Sequence, residues 1–275
     1  FDRQHAVRGV FGDPRIDPAS TGVQRQFHFG IDVAAPDGTP VYATLDGQVE
    51  IHPNHTDVVR IHGAGGVIFE YWHVVPTVHT GERATAYRTV IGHVEEPWAH
   101  VHFSELQYGR YVNPLRPGAL GPWADPTSPR IVSIQLYRAG TQKLVDPAGV
   151  SGPCDLVCEA LDVPPIRVPP PWNDLPVTPG KLRWRVLRGS TVVRPWHVPV
   201  DLTKEMLPKE RFAEVYAPGT RQNHAGEPGR YRFFLAHDWS TRLLPDGPYR
   251  IQVEARDERG NSATAALQAV FVNDL

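Results

Sequence analysis

The sequence predicts an all-β chain in two domains, and three observations predict it. Twenty-eight prolines and 24 glycines in 275 residues leave few windows for a long helix. Apolar residues recur in short runs that alternate with polar ones, the pattern of half-buried strands. Histidine is also unevenly spread: ten of the 13 lie at or before His102 (5, 28, 52, 55, 62, 73, 79, 93, 100 and 102) and three follow (197, 224 and 237). Whatever the histidines do, they do in the first half.

Taken in order, strand candidates in the first half include 41–43 (VYA), 58–61 (VVRI) and 67–71 (VIFEY). GPWADPTSPR, with three prolines among turn-forming residues, marks a boundary near 122–130 and divides the chain into 1–125 and 131–275. Beyond it, 131–137 (IVSIQLY) reads as a strand. PPIRVPPPW at 164–172 is too stiff for a regular strand and reads as a long ordered loop or polyproline segment. The best helix candidate is Asp201–Phe212, opened by a capping aspartate. Near the end, Tyr249, Ile251, Val253 and Ala255 alternate with Arg250, Gln252 and Glu254, followed by a turn at DERGN and a last strand at 264–272. DGPYRIQVEARDERGN resembles the closing hairpin of bacterial immunoglobulin-like domains, which implies a β-sandwich for the second half.

Composition excludes some partners. The formal net charge is -2 with no basic run, so neither nucleic acid nor an anionic membrane surface is expected to bind through charge. No stretch approaches ~18 uninterrupted apolar residues, so membrane insertion by a spanning helix is not expected. The chain begins at Phe1 and its one methionine is Met206, which suggests that a leader or upstream segment was removed. Cys154 and Cys158 could close a small disulfide loop or remain two buried thiols; no second pair completes a zinc knuckle.

Three short motifs carry the chemistry. In HFGID, His28 and Asp32 flank a glycine, and the VAAP that follows argues for a turn feeding a strand rather than a helix. Imidazole nitrogen and carboxylate oxygen both suit zinc. In HVHF, His100 and His102 are two apart on a strand and share a face. In YWHV, His73 ends an apolar strand. Each motif has a plainer reading when taken alone: a chance spacing, a solvated strand face, a hydrogen-bonded strand end. Together they supply two nitrogen ligands and one carboxylate, with two histidines left over for proton transfer. Catalytic zinc wants three protein ligands and an open position for water.

HFGIDVAAPDGTPVYATLDGQV, YWHV and HVHFSE occur in the order and approximate spacing of the lysostaphin/LytM-type zinc metalloendopeptidases, which the sequence resembles over residues 5–110. RGVFGDPR resembles their lead-in strand. The resemblance implies an N-terminal antiparallel β-sheet metallopeptidase domain of the duplicated-hybrid-motif kind. It also implies Zn2+ held by His28, Asp32 and His102, with His73 and His100 flanking a metal-activated water as catalytic groups. The expected substrate is the peptide of bacterial peptidoglycan, and the expected location is extracytoplasmic. One departure stands out: family members carry a glycine-rich loop before His-x-His, whereas this chain has EEPWA at 95–99. Trp98 with Glu95 and Glu96 either sets a different substrate preference or caps the strand. Two other readings are a catalytically silent wall-binding or regulatory member of the same fold, and an unrelated cupin-like zinc protein. The cupin reading leaves HFGID unexplained. The second domain is expected to be accessory.

Overall fold

The computed structural model describes residues 4–17 and 24–273; Phe1 lies outside them. Nearly all of the regular structure is strand, as expected. Among the described residues the α-helix is one four-residue turn, Phe212–Val215, and no helix is long and apolar enough to cross a membrane.

In the first half an eight-stranded antiparallel sheet runs in the order Val7–Gly9, Ile31–Ala34, His100–Gln107, Val67–Trp72, Val58–His62, Gly47–Ile51 and Arg83–Ala84, with Arg110–Val112 folded back on the end of His100–Gln107. A smaller sheet of Pro40–Tyr42, Val90–Val94 and Val74–Pro76 accompanies it. Alternate positions bury Ile31, Val49, Ile61, Tyr71, Ile91 and Phe103 in one core, the strand periodicity read from sequence.

The second half packs two antiparallel sheets around another core. One holds Arg130–Arg138, Pro153–Leu161 and Arg232–Ser240; the other holds Thr191–Asp201, Lys181–Arg188, Gly247–Arg256 and Ser262–Phe271. Leu182, Trp184 and Val186 point inward, and the Trp184 ring meets Trp239 at 5.0 Å. Arg183 and Arg185 point outward, to Glu254 and Gln252. Cys154 and Cys158 are both buried and free. They lie four residues apart on one strand, roughly 13 Å at strand rise, well beyond the ~7 Å limit for bridging. Of the two sequence readings, the thiols hold.

One expectation fails. Asp201–Phe212 is not a helix: Asp201 ends a strand, and only Lys209–Arg211 and Phe212–Val215 turn helically. Pro208 disfavours helical geometry at Leu207 and offers no N–H. The segment is instead drawn out against the first half. Asn113 N–H donates to the Lys204 carbonyl at 2.7 Å, and Met206 N–H donates to the Tyr111 carbonyl at 3.0 Å.

The two halves share more than this strap. Phe11 and Phe27 belong to the core of the second half, and Val177 to that of the first. The Tyr216 hydroxyl donates to the Gly12 carbonyl at 2.6 Å. Buried Asp13 accepts from Thr178 N–H at 3.0 Å, Thr178 Oγ1 at 2.7 Å and Val10 N–H at 3.0 Å.

Candidate metal centre and its cleft

Sheet register builds the site. His102 pairs with Asp32, and His100 with Ala34, across the two neighbouring strands. His28 arrives from the turn before Ile31–Ala34. Gly30 makes that turn possible: a Cβ there would collide with the Phe103 carbonyl and lie 2.7 Å from Ser104 Oγ and 2.9 Å from His102 Nε2. Gly9 does the same on the other side, where a Cβ would stand 2.6 Å from Asp32 Oδ2.

Three buried atoms converge. His28 Nε2 lies 2.7 Å from His102 Nδ1 and 3.0 Å from Asp32 Oδ1, and His102 Nδ1 lies 3.1 Å from Asp32 Oδ1. The second nitrogen of each histidine is committed elsewhere. His28 Nδ1 faces the Val10 carbonyl at 2.9 Å and can only donate there, so Nε2 carries a lone pair. Ser104 Oγ, 2.9 Å from His102 Nε2, can accept its proton and leave a lone pair on Nδ1. In that state two lone pairs and a carboxylate oxygen face one point, an arrangement that calls for a cation. Ligands around tetrahedral zinc stand roughly 3.3 Å apart, given bonds of ~2.0–2.1 Å. The triangle needs to open only slightly, so these residues fit a zinc-sized ion.

Protonation favours the same role. Burial pushes Asp32 up, but His28, Arg15 and His100 together hold it well below the carboxylate range. Arg15 donates to its Oδ2 at 2.7 Å. Burial lowers His28, and lowers His102 to about 4, so both imidazoles are neutral at pH 7.

The remaining motif histidines sit beside the centre. His100 Nδ1 is enclosed by the Arg8 guanidinium and the Trp98 carbonyl, each at 2.7 Å, while Nε2 lies 3.5 Å from Asp32 Oδ1. His73 has φ 63°, a left-handed conformation rare outside glycine that turns it out of its strand. Its ring stacks on Trp98 at 4.0 Å and lies 4.8 Å from His100. His73 Nδ1 is buried without a hydrogen bond, 3.7 Å from Asp57 Oδ2, and burial lowers the ring to about 4. All five sequence-predicted residues therefore meet in one cleft of about 690 Å3.

His93 pairs with Pro40 and Val75 in the smaller sheet and does not line this cleft. Tyr71 is buried, its hydroxyl occupied by Thr44. Sequence reasoning missed Arg8, Arg15 and Ser104, and also Trp172, Gln222 and Asn223, which line the cleft from the second half. Arg8 and Arg15 bracket the lead-in motif and were visible. The second-half residues carry no local signal.

The structure thus sets a buried His-Asp-His cluster that could hold a metal ion on an antiparallel β-sheet, in an open cleft. Residues 26–114 match peptidase family M23. Similar solved structures include LytU, at 26% identity over 41% of this chain and 83% of that one, with a TM-score of 0.32. The catalytic domain of the prophage-encoded M23 protein EnpA from Enterococcus faecalis matches at 26% identity over 40% of this chain and 92% of that one, with a TM-score of 0.31. The SpoIIQ–SpoIIIAH pore-forming complex matches at 24% identity over 40% and 80%, with a TM-score of 0.33. No curated protein matches the chain.

Proposed function

We propose that this protein is a zinc-dependent endopeptidase acting outside the cytoplasm on peptide bonds of bacterial peptidoglycan. The observation that carries the reading is the convergence of His28 Nε2, His102 Nδ1 and Asp32 Oδ1, each imidazole with its other nitrogen engaged. His28, Asp32 and His102 hold the ion. When bound, it supplies a Lewis acid that polarises a carbonyl and lowers the pKa of a water. His73 is neutral at pH 7 and lines the cleft beside His100, where it accepts a proton and passes it to the leaving amine. His100 has Nδ1 engaged and presents Nε2 towards the cleft, where it donates to the carbonyl oxygen as charge develops. The intact set of five residues favours an enzyme over a silent member of the fold. The match to peptidase family M23, rather than any pocket contact, supports the substrate.

The test is to load the purified protein with zinc, measure metal per chain, and incubate it with purified peptidoglycan. About one zinc per chain and new amino termini are expected. Zinc bound without new termini points to the silent wall-binding reading. No zinc at neutral pH overturns the enzyme reading.

A further inference from the structure

Arg8 is the cation in the cleft that the proposed chemistry leaves unused. Arg15 is paired with Asp32 and Asp13. Arg8 forms no salt bridge among the described residues; its contacts are His100 Nδ1 at 2.7 Å and the face of Trp172, with the guanidinium carbon 4.1 Å from the ring centroid. Asp32 is the carboxylate whose charge reaches it most strongly, and Asp32 is already engaged by Arg15 and the histidines. A half-buried guanidinium with no salt-bridge partner among the described residues, at the lip of a cleft, has the chemistry of an anion-binding site.

The site is built by both halves of the chain. Trp172 comes from the proline-rich segment, where its N–H donates to the Pro169 carbonyl at 3.1 Å. Gly226 N–H donates to the Pro171 carbonyl at 2.8 Å, and Asn223 Nδ2 donates to the Pro176 carbonyl at 2.6 Å, tying the segment to the 222–226 loop. The aromatic face therefore stands on a braced support. Stacking leaves the edge of a guanidinium free to bind a carboxylate through two parallel hydrogen bonds.

We propose that Arg8 is a binding site for a free carboxylate of the bound peptide, and that Trp172 of the second half holds it in position. The proposal rests on the peptidoglycan-peptide reading and deepens it: the substrate is a peptide that bears an unamidated carboxylate near the bond cleaved.

The experiment uses the full chain loaded with zinc. Cross-linked muropeptides are released from peptidoglycan by a muramidase and used either as released or after coupling of their carboxylates to methylamine. Turnover is followed by new amino termini, and binding by calorimetry. The wild type should prefer the carboxylate form by about tenfold or more. Arg8→Gln should bring that ratio close to one, and Trp172→Ala should lower it. Arg8→Lys should keep part of it, since charge remains while the fork is lost. Because Arg8 touches His100, absolute rates can change in any variant; the ratio is the readout that a merely structural role would not move. Equal turnover of both forms by the wild type overturns the proposal and leaves the peptidase reading standing. If neither form is cleaved, the peptidase reading fails, and binding decides the carboxylate site: selectivity lost in Arg8→Gln supports it, and equal binding of the two forms overturns it.

Discussion

Ser104→Ala isolates the part played by one hydroxyl. Ser104 is fully buried, and its Oγ lies 2.9 Å from His102 Nε2. Without an ion, loss of that oxygen has an escape: His102 can move its proton to Nδ1, which then donates to His28 Nε2 at 2.7 Å or Asp32 Oδ1 at 3.1 Å. With an ion bound, Nδ1 must keep its lone pair, and the Nε2 proton is left buried with no acceptor. Such a donor costs about 1–3 kcal/mol, or roughly five- to 150-fold in affinity. Loss of a partner hydrogen-bonded to a metal ligand typically weakens binding by ~10–100-fold. Ser104→Ala is therefore expected to lower zinc affinity about tenfold or more while shifting apo stability by less than about 1 kcal/mol. Competition against a chromophoric chelator gives the affinity, and melting with and without chelator gives the two stabilities. Unchanged zinc affinity, or an apo stability that falls as far as the holo one, would refute the reasoning.

Further expectations follow from neighbouring contacts. His102→Ala should abolish stoichiometric zinc, whereas His73→Ala and His100→Ala should retain it and lose about 10²–10⁴-fold in turnover; metal analysis beside a rate assay separates the two kinds of loss. Asp13→Ala removes the acceptor of Val10 and of both Thr178 donors, so about 2–3 kcal/mol and several degrees of Tm should go, and a melting curve measures it. Burial raises Asp162 to about 8, helped by neighbouring Asp125, Asp257 and Glu258. A raised folded pKa means stability present at low pH and lost as pH climbs from about 4 to about 8. Asp162→Asn should therefore raise Tm relative to wild type at pH 8, with the gain shrinking towards pH 4; a constant difference across that range would contradict the assignment.

Much of the first half was legible because local pattern and tertiary role coincide there. Alternation in 58–61 and 67–71 marks strands whose inward residues do become core. The candidate site was legible because strand period puts His100 and His102 on one face and register brings His102 beside Asp32. What stayed hidden depends on long-range contact. Ser104 acts only because the strand carries it beside His102, and Trp172 only because a loop far along the chain folds back onto Arg8. The helix expected over Asp201–Phe212 had a good cap and no competing local signal but Pro208; the competing partners, Tyr111 and Asn113, lie some ninety residues earlier. For Trp98 the sequence allows two roles, substrate preference or strand capping. Its ring stacks on His73 and lines the cleft with 44% of its surface exposed, which favours substrate contact over simple capping.

Phe11 and Phe27 have consequences for how such a chain can be cut and recombined. Both precede or flank the metal-site turn, yet both are buried in the core of the second half. A polypeptide ending near residue 125 would turn these rings to water, a loss of roughly 3–6 kcal/mol for the pair, comparable to the whole stability of many domains. The functional unit is therefore longer than the stretch that carries its motifs. Transplanting residues 26–114 into another protein would move the candidate ligands without the surface that supports them. Exchanging the second half for another β-domain would require a replacement that accepts the same two rings.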